Sequence, residues 1–129
     1  MLLKKRTFPN YLEPYGGGQW WCLTTTLIEK ILTFVDENPD YLHYPTYSLI
    51  PDELFFQSIV HYLLNGETDL LMDSVTFVDW ERKNSVGAPT FTLSDFELLQ
   101  SQPENKLFAR KFDVTFDAEI LKKVAEFIS

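Results

Sequence analysis

Residues 50–66 read IPDELFFQSIVHYLLNG, and this stretch contains both ends of a predicted helix. Pro51 suits the first turn of a helix, and the two acids that follow it place negative charge where the helix dipole favours it. Asn65 and Gly66 are typical of a helix end. The stretch therefore predicts a helix with one apolar face. That face consists of Leu54, Phe55, Ile59, Tyr62 and Leu63.

On either side of this helix, helical patterns alternate with short strand patterns. Upstream, Thr24 is placed to cap a helix that ends at Asn38-Pro39. Downstream, residues 74–80 alternate like a strand, and residues 107–112 form a second strand or extended loop. The predicted inner face of the upstream helix consists of Leu27, Ile28, Ile31, Leu32 and Val35.

Two further helix starts lie near the end of the chain. Ser94 and Glu97 have the spacing of a capping box and predict a short helix through Leu99. Asp117 predicts the cap of a last helix. Because helices and short strands interleave, the sequence predicts a mixed α/β fold. The inner face of the last helix consists of Ile120, Leu121, Val124, Phe127 and Ile128.

Size and composition predict one globular domain over residues 1–129, since 45% of the residues are hydrophobic. The formal net charge of -8 opposes nucleic-acid binding, which needs many cationic contacts. We interpret the dense basic run Lys4-Lys5-Arg6 as a solvated segment. Cys22, the single cysteine, fits a reducing compartment or a piece of a longer chain. With no membrane-length apolar run and no signal-peptide pattern, we expect the chain as given to be soluble.

Glycine and proline in residues 1–18 predict an extended lead-in followed by a tight turn. The Gly16-Gly17-Gly18 triplet lacks the lysine that ends a phosphate-binding loop.

Two groups of charged residues could carry chemistry. Near a helix start, Glu53 is expected to stay ionised and so to accept a proton, unless it serves simply to complement the helix end. Arg110 and Lys111 are adjacent cations between aromatic residues in an acidic chain, and together they could neutralise a diphosphate. The alternative for this pair is an ordinary surface position, since neighbours on a strand point to opposite faces.

Four motifs carry a resemblance to a known family, and they occur in the family's order. They resemble the C-terminal half of the core-2/I-branching beta-1,6-N-acetylglucosaminyltransferase family, which includes peptide O-xylosyltransferase-like members. The resemblance covers the chain from about Gly16 to its end. The motifs are GQWWCLT at residues 18–24, LIPDELFFQ at residues 49–57, FVDW at residues 77–80 and LFARKFD at residues 107–113.

The resemblance implies the C-terminal part of a GT-A-like fold without its N-terminal nucleotide-binding half. It implies an inverting, metal-independent transfer of N-acetylglucosamine from a UDP-sugar to a glycan acceptor hydroxyl. Glu53 matches the family's catalytic base and Lys111 the lysine that contacts the donor diphosphate. Arg110 matches a basic partner in the xylosyltransferase-like branch. Trp20 and Trp80 match aromatic positions of the active-site region.

The resemblance also predicts that the reaction uses the UDP-sugar as a substrate and needs neither a cofactor nor a metal ion. In agreement, no Asp-x-Asp motif occurs, and His43 and His61 lack a ligand partner at suitable spacing. No nucleic-acid partner is expected, while membrane association could come through the parent protein. The expected location is cytoplasmic or peripheral to the membrane in a bacterium, and the Golgi membrane in a eukaryote.

The competing hypothesis is a non-catalytic module that binds a carbohydrate or a protein. An aromatic surface would then hold the partner. Its members would be Trp20, Trp21, Tyr41, Tyr44 and Tyr47.

Overall fold

The computed structural model describes residues 7–83 and 85–129, which group into two compact units that divide between Asp73 and Ser74. The predicted basic run Lys4-Lys5-Arg6 lies outside the described residues. Helices and a small parallel sheet are both present, and this confirms the mixed α/β class. That residues 1–129 form a single domain stays a prediction.

The first unit contains two α-helices, and the predicted caps at Thr24 and Asn65 are both present. Helix α1, Thr25–Glu37, begins after Thr24, whose hydroxyl oxygen accepts a hydrogen bond of 3.3 Å from the Leu27 amide. Helix α2, Phe55–Leu64, ends at Asn65, which adopts the left-handed conformation with φ 46°. Both caps satisfy backbone groups that a helix end leaves open. Shorter 3-10 turns cover Pro39–His43, Pro45–Tyr47, Pro51–Glu53 and Thr68–Leu70.

The core of the first unit differs in part from the predicted inner face of α1. Ile28 and Leu32 are 44% and 60% exposed, whereas Phe34 is buried at 5% exposure. Phe34 lies one helical turn after the buried Ile31, so the packed stripe runs along a different side of the helix. Tyr62, predicted to face inward from α2, is 48% exposed. The buried core consists of Leu12, Ile31, Phe34, Tyr41, Ile59 and Val60.

The acids of the PDE motif precede α2 and do not belong to its first turn. The Glu53 amide donates to the Ile50 carbonyl at 3.3 Å, and the Leu54 amide donates to the Pro51 carbonyl at 3.2 Å. These i to i+3 bonds form a tight 3-10 turn. The α-helical ladder starts afterwards, where the Ser58 amide donates to Leu54. The predicted helix start at Pro51 is therefore a separate turn.

The second unit contains a two-stranded parallel sheet and two helices. Strands β1, Thr76–Phe77, and β2, Phe108–Ala109, are both shorter than the predicted extended segments. Helix α3 covers Phe96–Gln100 and helix α4 covers Glu119–Ile128. The Asp117 carboxylate accepts hydrogen bonds from the first two amides of α4 at 2.9 and 3.3 Å, which confirms its capping role.

The capping box before α3 uses different residues from those predicted. The Thr92 hydroxyl and the Asp95 carboxylate form the reciprocal pair around a 3-10 turn, Leu93–Asp95. Ser94 instead shares a 2.8 Å hydrogen bond with the Thr92 hydroxyl. The prediction failed because the 3-10 turn comes first and moves the start of the helical segment upstream.

Phe91 and Ile120, both fully buried, form the centre of the second unit. Phe91 stacks on Phe77 with ring centroids 5.8 Å apart. Phe127 and Ile128 were predicted to face inward from α4 but are 55% and 75% exposed. The inner face of α4 is therefore narrower than its periodicity indicates.

Candidate functional site

Glu53 lies half-buried at a surface pocket of the first unit. The pocket has a volume of about 330 Å³, and Glu53 is the one acidic residue among glycine, serine and aliphatic residues in its lining. A single acid in such a lining is suited to receive a proton from a bound hydroxyl group. The lining consists of Gly16, Gly17, Ser48, Leu49, Ile50, Glu53 and Leu54.

The glycine triplet runs beside the PDE turn and forms no turn of its own. The Gly17 amide donates a hydrogen bond of 2.9 Å to the Glu53 carbonyl oxygen. A Cβ atom on Gly17 would lie 3.2 Å from Gln57 Cγ. Glycine suits this close approach, since a larger residue would oblige Gln57 Cγ to move by a few tenths of an ångström.

Gln57, on the first turns of α2, connects this glycine segment to the PDE turn. Its Nε2 lies 3.2 Å from the Gly17 carbonyl oxygen, 2.9 Å from that of Gly18 and 3.0 Å from that of Asp52. Its Oε1 is buried and has no hydrogen-bond partner in the part of the chain that the structure describes. Sequence analysis missed this residue because its main acceptors lie about forty positions upstream.

The tryptophans after the glycine segment are partly exposed. Trp20 is 49% exposed, and Trp21, 39% exposed, packs against Phe56 with ring centroids 5.3 Å apart. The predicted aromatic surface is wrong at Tyr41, which is 1% exposed and belongs to the core. Its ring packs against other core rings, so it is not available to a partner.

In the second unit, Trp80, Arg110 and Lys111 follow the carboxyl ends of β1 and β2. Because the two strands are parallel, both ends lie at the same edge of the sheet. Ligands of open α/β folds bind at this edge. Trp80 is 66% exposed, Arg110 is half-buried and Lys111 is exposed. The structure thus places three of the sequence-predicted site residues at one edge of this unit.

Backbone hydrogen bonds fix the two cations on both sides. The Arg110 amide donates to the Phe77 carbonyl at 3.1 Å. The Lys111 amide donates to the Pro89 carbonyl at 3.2 Å, and the Lys111 carbonyl accepts from the Phe91 amide at 2.8 Å. The cations are therefore held by β1 and by residues 89–91 together. The peptide bond between Arg110 and Lys111 is cis.

Arg82 organises the segment that follows Trp80. Its Nε donates to Asp79 at 2.8 Å, and its terminal nitrogens donate to Asp95 at 2.8 and 3.3 Å. These hydrogen bonds, that to Asp79 foremost, raise the pKa of the guanidinium. The guanidinium also lies over the Phe91 ring, 5.7 Å from its centroid. Arg82 was not a candidate from the sequence, since nothing local marks it as the centre of a network.

Three further predictions concern the histidines, metal binding and membrane insertion. The His61 ring stacks on Tyr15 with centroids 4.4 Å apart, as expected for a packing residue. Residues 7–83 and 85–129 contain no group of three or more His, Cys, Asp or Glu side chains placed to hold a metal ion. In the same residues, every helix is too short or too polar to cross a membrane.

A sequence model described as Core-2/I-Branching enzyme matches residues 1–100. Xylosyltransferase 2 of Homo sapiens is 28% identical over 134 residues, which cover 93% of this chain and 15% of the human protein. Xylosyltransferase 2 of Rattus norvegicus is 27% identical over the same shares, and xylosyltransferase 1 of Mus musculus is 22% identical over 98% of this chain and 15% of its own length.

The chain therefore spans about 15% of the length of the curated relatives it matches. No solved structure matches it significantly. The family match covers well over half of the chain and includes three of the four motifs, while residues 107–113 lie beyond it. The chain belongs to the core-2/I-branching enzyme family of glycosyltransferases.

Proposed function

We propose that residues 1–129 are the C-terminal catalytic portion of an inverting, metal-independent glycosyltransferase with a GT-A-like fold. An N-terminal nucleotide-binding half precedes them in a longer polypeptide. One observation carries the proposal: Trp80, Arg110 and Lys111 lie at the carboxyl edge of a parallel sheet. In a member of a glycosyltransferase family, this edge is where a nucleotide-sugar is expected to bind.

The substrates are a UDP-sugar and a glycan with a free hydroxyl group. Glu53 takes the proton of that hydroxyl, and the oxygen forms a bond to the anomeric carbon. The bond from this carbon to the diphosphate breaks on the opposite face of the ring, and its electrons leave with UDP. The configuration inverts because attack and departure take place on opposite faces. Such proton removal contributes ~10²–10⁴ in rate.

Arg110 and Lys111 offset the negative charge that develops on the departing diphosphate. Arginine offers a planar fork and lysine a compact charge, and both suit phosphate oxygens. Trp80, exposed at the same edge, supplies a flat surface for a ring of the donor, and Trp20 does so near the glycine segment. With the charge neutralised by side chains, the proposal needs no metal ion and no cofactor.

The first candidate donor is UDP-N-acetylglucosamine, and UDP-xylose is the second. The resemblance to the beta-1,6-N-acetylglucosaminyltransferase family favours the first, while the relatives named xylosyltransferase favour the second. The resemblance implies an acid at the position of Gln19 in xylosyltransferase-like members, so a glutamine there favours N-acetylglucosamine. Transfer assays with the two donors at equal concentration distinguish them. For location, the proposal is the Golgi membrane in a eukaryote, and the cytoplasm or membrane periphery in a bacterium, with any membrane attachment through the parent protein.

The decisive experiment is Glu53→Gln in the full gene product that contains residues 1–129. We expect sugar transfer to fall by at least about 10²-fold, since the amide cannot accept the proton, while UDP binds as before. Asp52→Asn, one position away and exposed, is the matched control and should retain transfer. Transfer by Glu53→Gln at the unmodified rate would remove Glu53 from its role.

A second candidate function is a non-catalytic carbohydrate- or protein-binding module, favoured by the exposure of Tyr47 at 80% and Trp20 at 49%. Ligands that prefer the native state raise its melting temperature. Stabilisation by glycans without any by UDP would favour this module, whereas stabilisation by UDP supports the transferase.

A further inference from the structure

Gln57 joins two segments that both line the Glu53 pocket but are distant in sequence. One is the glycine segment that leads to Trp20, and the other is the turn that contains Glu53. Three backbone carbonyl oxygens, those of Gly17, Gly18 and Asp52, lie within 3.2 Å of Gln57 Nε2. Since an amide NH₂ group donates and carbonyl oxygens accept, the nitrogen must face these three atoms.

The Gln57 side chain is also closely packed against the glycine segment. Gly17 approaches the Gln57 side chain so closely that a Cβ atom would lie 3.2 Å from Cγ. The same Gly17 donates to the Glu53 carbonyl at 2.9 Å. These contacts close a ring. Gly17 bonds to Glu53, Glu53 follows Asp52 in the chain, and the Gln57 side-chain amide contacts the carbonyl oxygens of both Asp52 and Gly17.

We propose that Gln57 is a positioning residue for the transfer reaction, an inference that rests on the proposed role of Glu53. It holds the segment of Gly17 and Gly18 against the PDE turn and thereby fixes Glu53 relative to Trp20. Gln57 does not itself line the pocket, so it acts through these neighbours. A base must lie within hydrogen-bond reach of the proton it removes, and small displacements there are costly.

Gln57→Met tests the inference because methionine keeps the length and volume of the side chain but donates no hydrogen bond. We expect kcat to fall about 10-fold to 100-fold, with the KM for the UDP-sugar changed less than about twofold. We also expect hydrogen exchange of the Gly17 amide to become at least about tenfold faster, while the Ile59 amide in the middle of α2 stays protected. Gln100→Met, on the exposed surface of α3, is the matched control.

Gly17→Ala disturbs the same contact from the other side and keeps Gln57 intact. The added methyl group must displace Gln57 Cγ by a few tenths of an ångström. We expect a smaller loss of kcat in the same direction. This variant decides the matter if Gln57→Met fails to fold.

Each outcome bears on the inference. Slower transfer together with faster Gly17 exchange supports it. Unchanged Gly17 exchange overturns it, and so does faster exchange with unchanged kcat, because the contact would then have no part in transfer. If the unmodified protein transfers no sugar, the proposed function fails, and Gly17 exchange alone decides whether Gln57 links the two segments.

Discussion

The two terminal nitrogens of Arg82 donate hydrogen bonds of 2.8 and 3.3 Å to the Asp95 carboxylate, although twelve residues separate the two in the sequence. Burial by itself would raise the pKa of Asp95. The hydrogen bonds from Thr92 and Arg82 outweigh it and hold the pKa below its usual value. The ionised form is therefore the one that the fold stabilises.

A loss of stability in acid follows from this relationship. Because the pKa of Asp95 is lower in the folded state, its contribution is present above the unfolded pKa, about 3.9, and is lost as the pH falls further. Asp95→Asn should lower the free energy of unfolding at pH 7 by about 1–2 kcal/mol. The difference from the unmodified protein should shrink below about pH 4 in denaturant titrations. An equal difference at every pH would contradict the assignment.

The Tyr41 hydroxyl donates a 3.0 Å hydrogen bond to the Phe55 carbonyl inside the first unit. Tyr41→Phe keeps the packed ring but leaves that carbonyl without this donor, so we expect a loss of about 1–2 kcal/mol in the free energy of unfolding. Tyr47→Phe is the control, since Tyr47 is 80% exposed, and it should change stability by less than about 0.5 kcal/mol. Equal effects in urea unfolding would show that the buried hydrogen bond is unimportant.

Phe91 supports the backbone that holds Lys111. It is fully buried and stacks on Phe77, and its amide donates to the Lys111 carbonyl. Phe91→Leu should lower the free energy of unfolding by about 1–3 kcal/mol, because the smaller side chain leaves a cavity. Phe116→Leu, at a position that is 68% exposed, should have little effect. A Phe91→Leu protein as stable as the control would mean that the core repacks without cost.

Lys111→Glu should weaken UDP binding by about tenfold or more, because it places a like charge beside the diphosphate that the proposal assigns to this residue. Lys83→Glu makes the same change of net charge at another exposed lysine and should leave UDP affinity within about twofold. Isothermal titration of the full gene product with UDP measures both. Equal affinities would rule out the diphosphate contact.

Local signals in the sequence predicted three helix caps, although the helix starts expected at Pro51 and Ser94 were wrong. Thr24, Asn65 and Asp117 act as their residue types indicate, because capping depends on neighbouring backbone groups. Burial was harder to predict. Phe34 is buried whereas Ile28 and Leu32 are exposed, because the packed side of α1 depends on what lies against it.

The members of the candidate site come from the sequence, and their role in transfer stays a prediction. Trp80, Arg110 and Lys111 were candidates from sequence, and the parallel pairing of the strands brings them to one edge. Gln57 and Arg82 were not candidates, because their partners lie far along the chain or in a segment without periodicity. Hydrogen bonds between distant segments leave no local pattern to read.

The parallel pairing of β1 with β2 has a further consequence for Arg110 and Lys111. Residues 78–107 separate the strands, so pairing closes a long loop whose entropy is lost before any contact is gained. A short synthetic peptide that carries FARKFD would therefore be a poor substitute for the protein, since nothing in it would keep the two cations in register. Arg110 and Lys111 keep this placement as long as residues 78–107 are folded and the two strands stay paired.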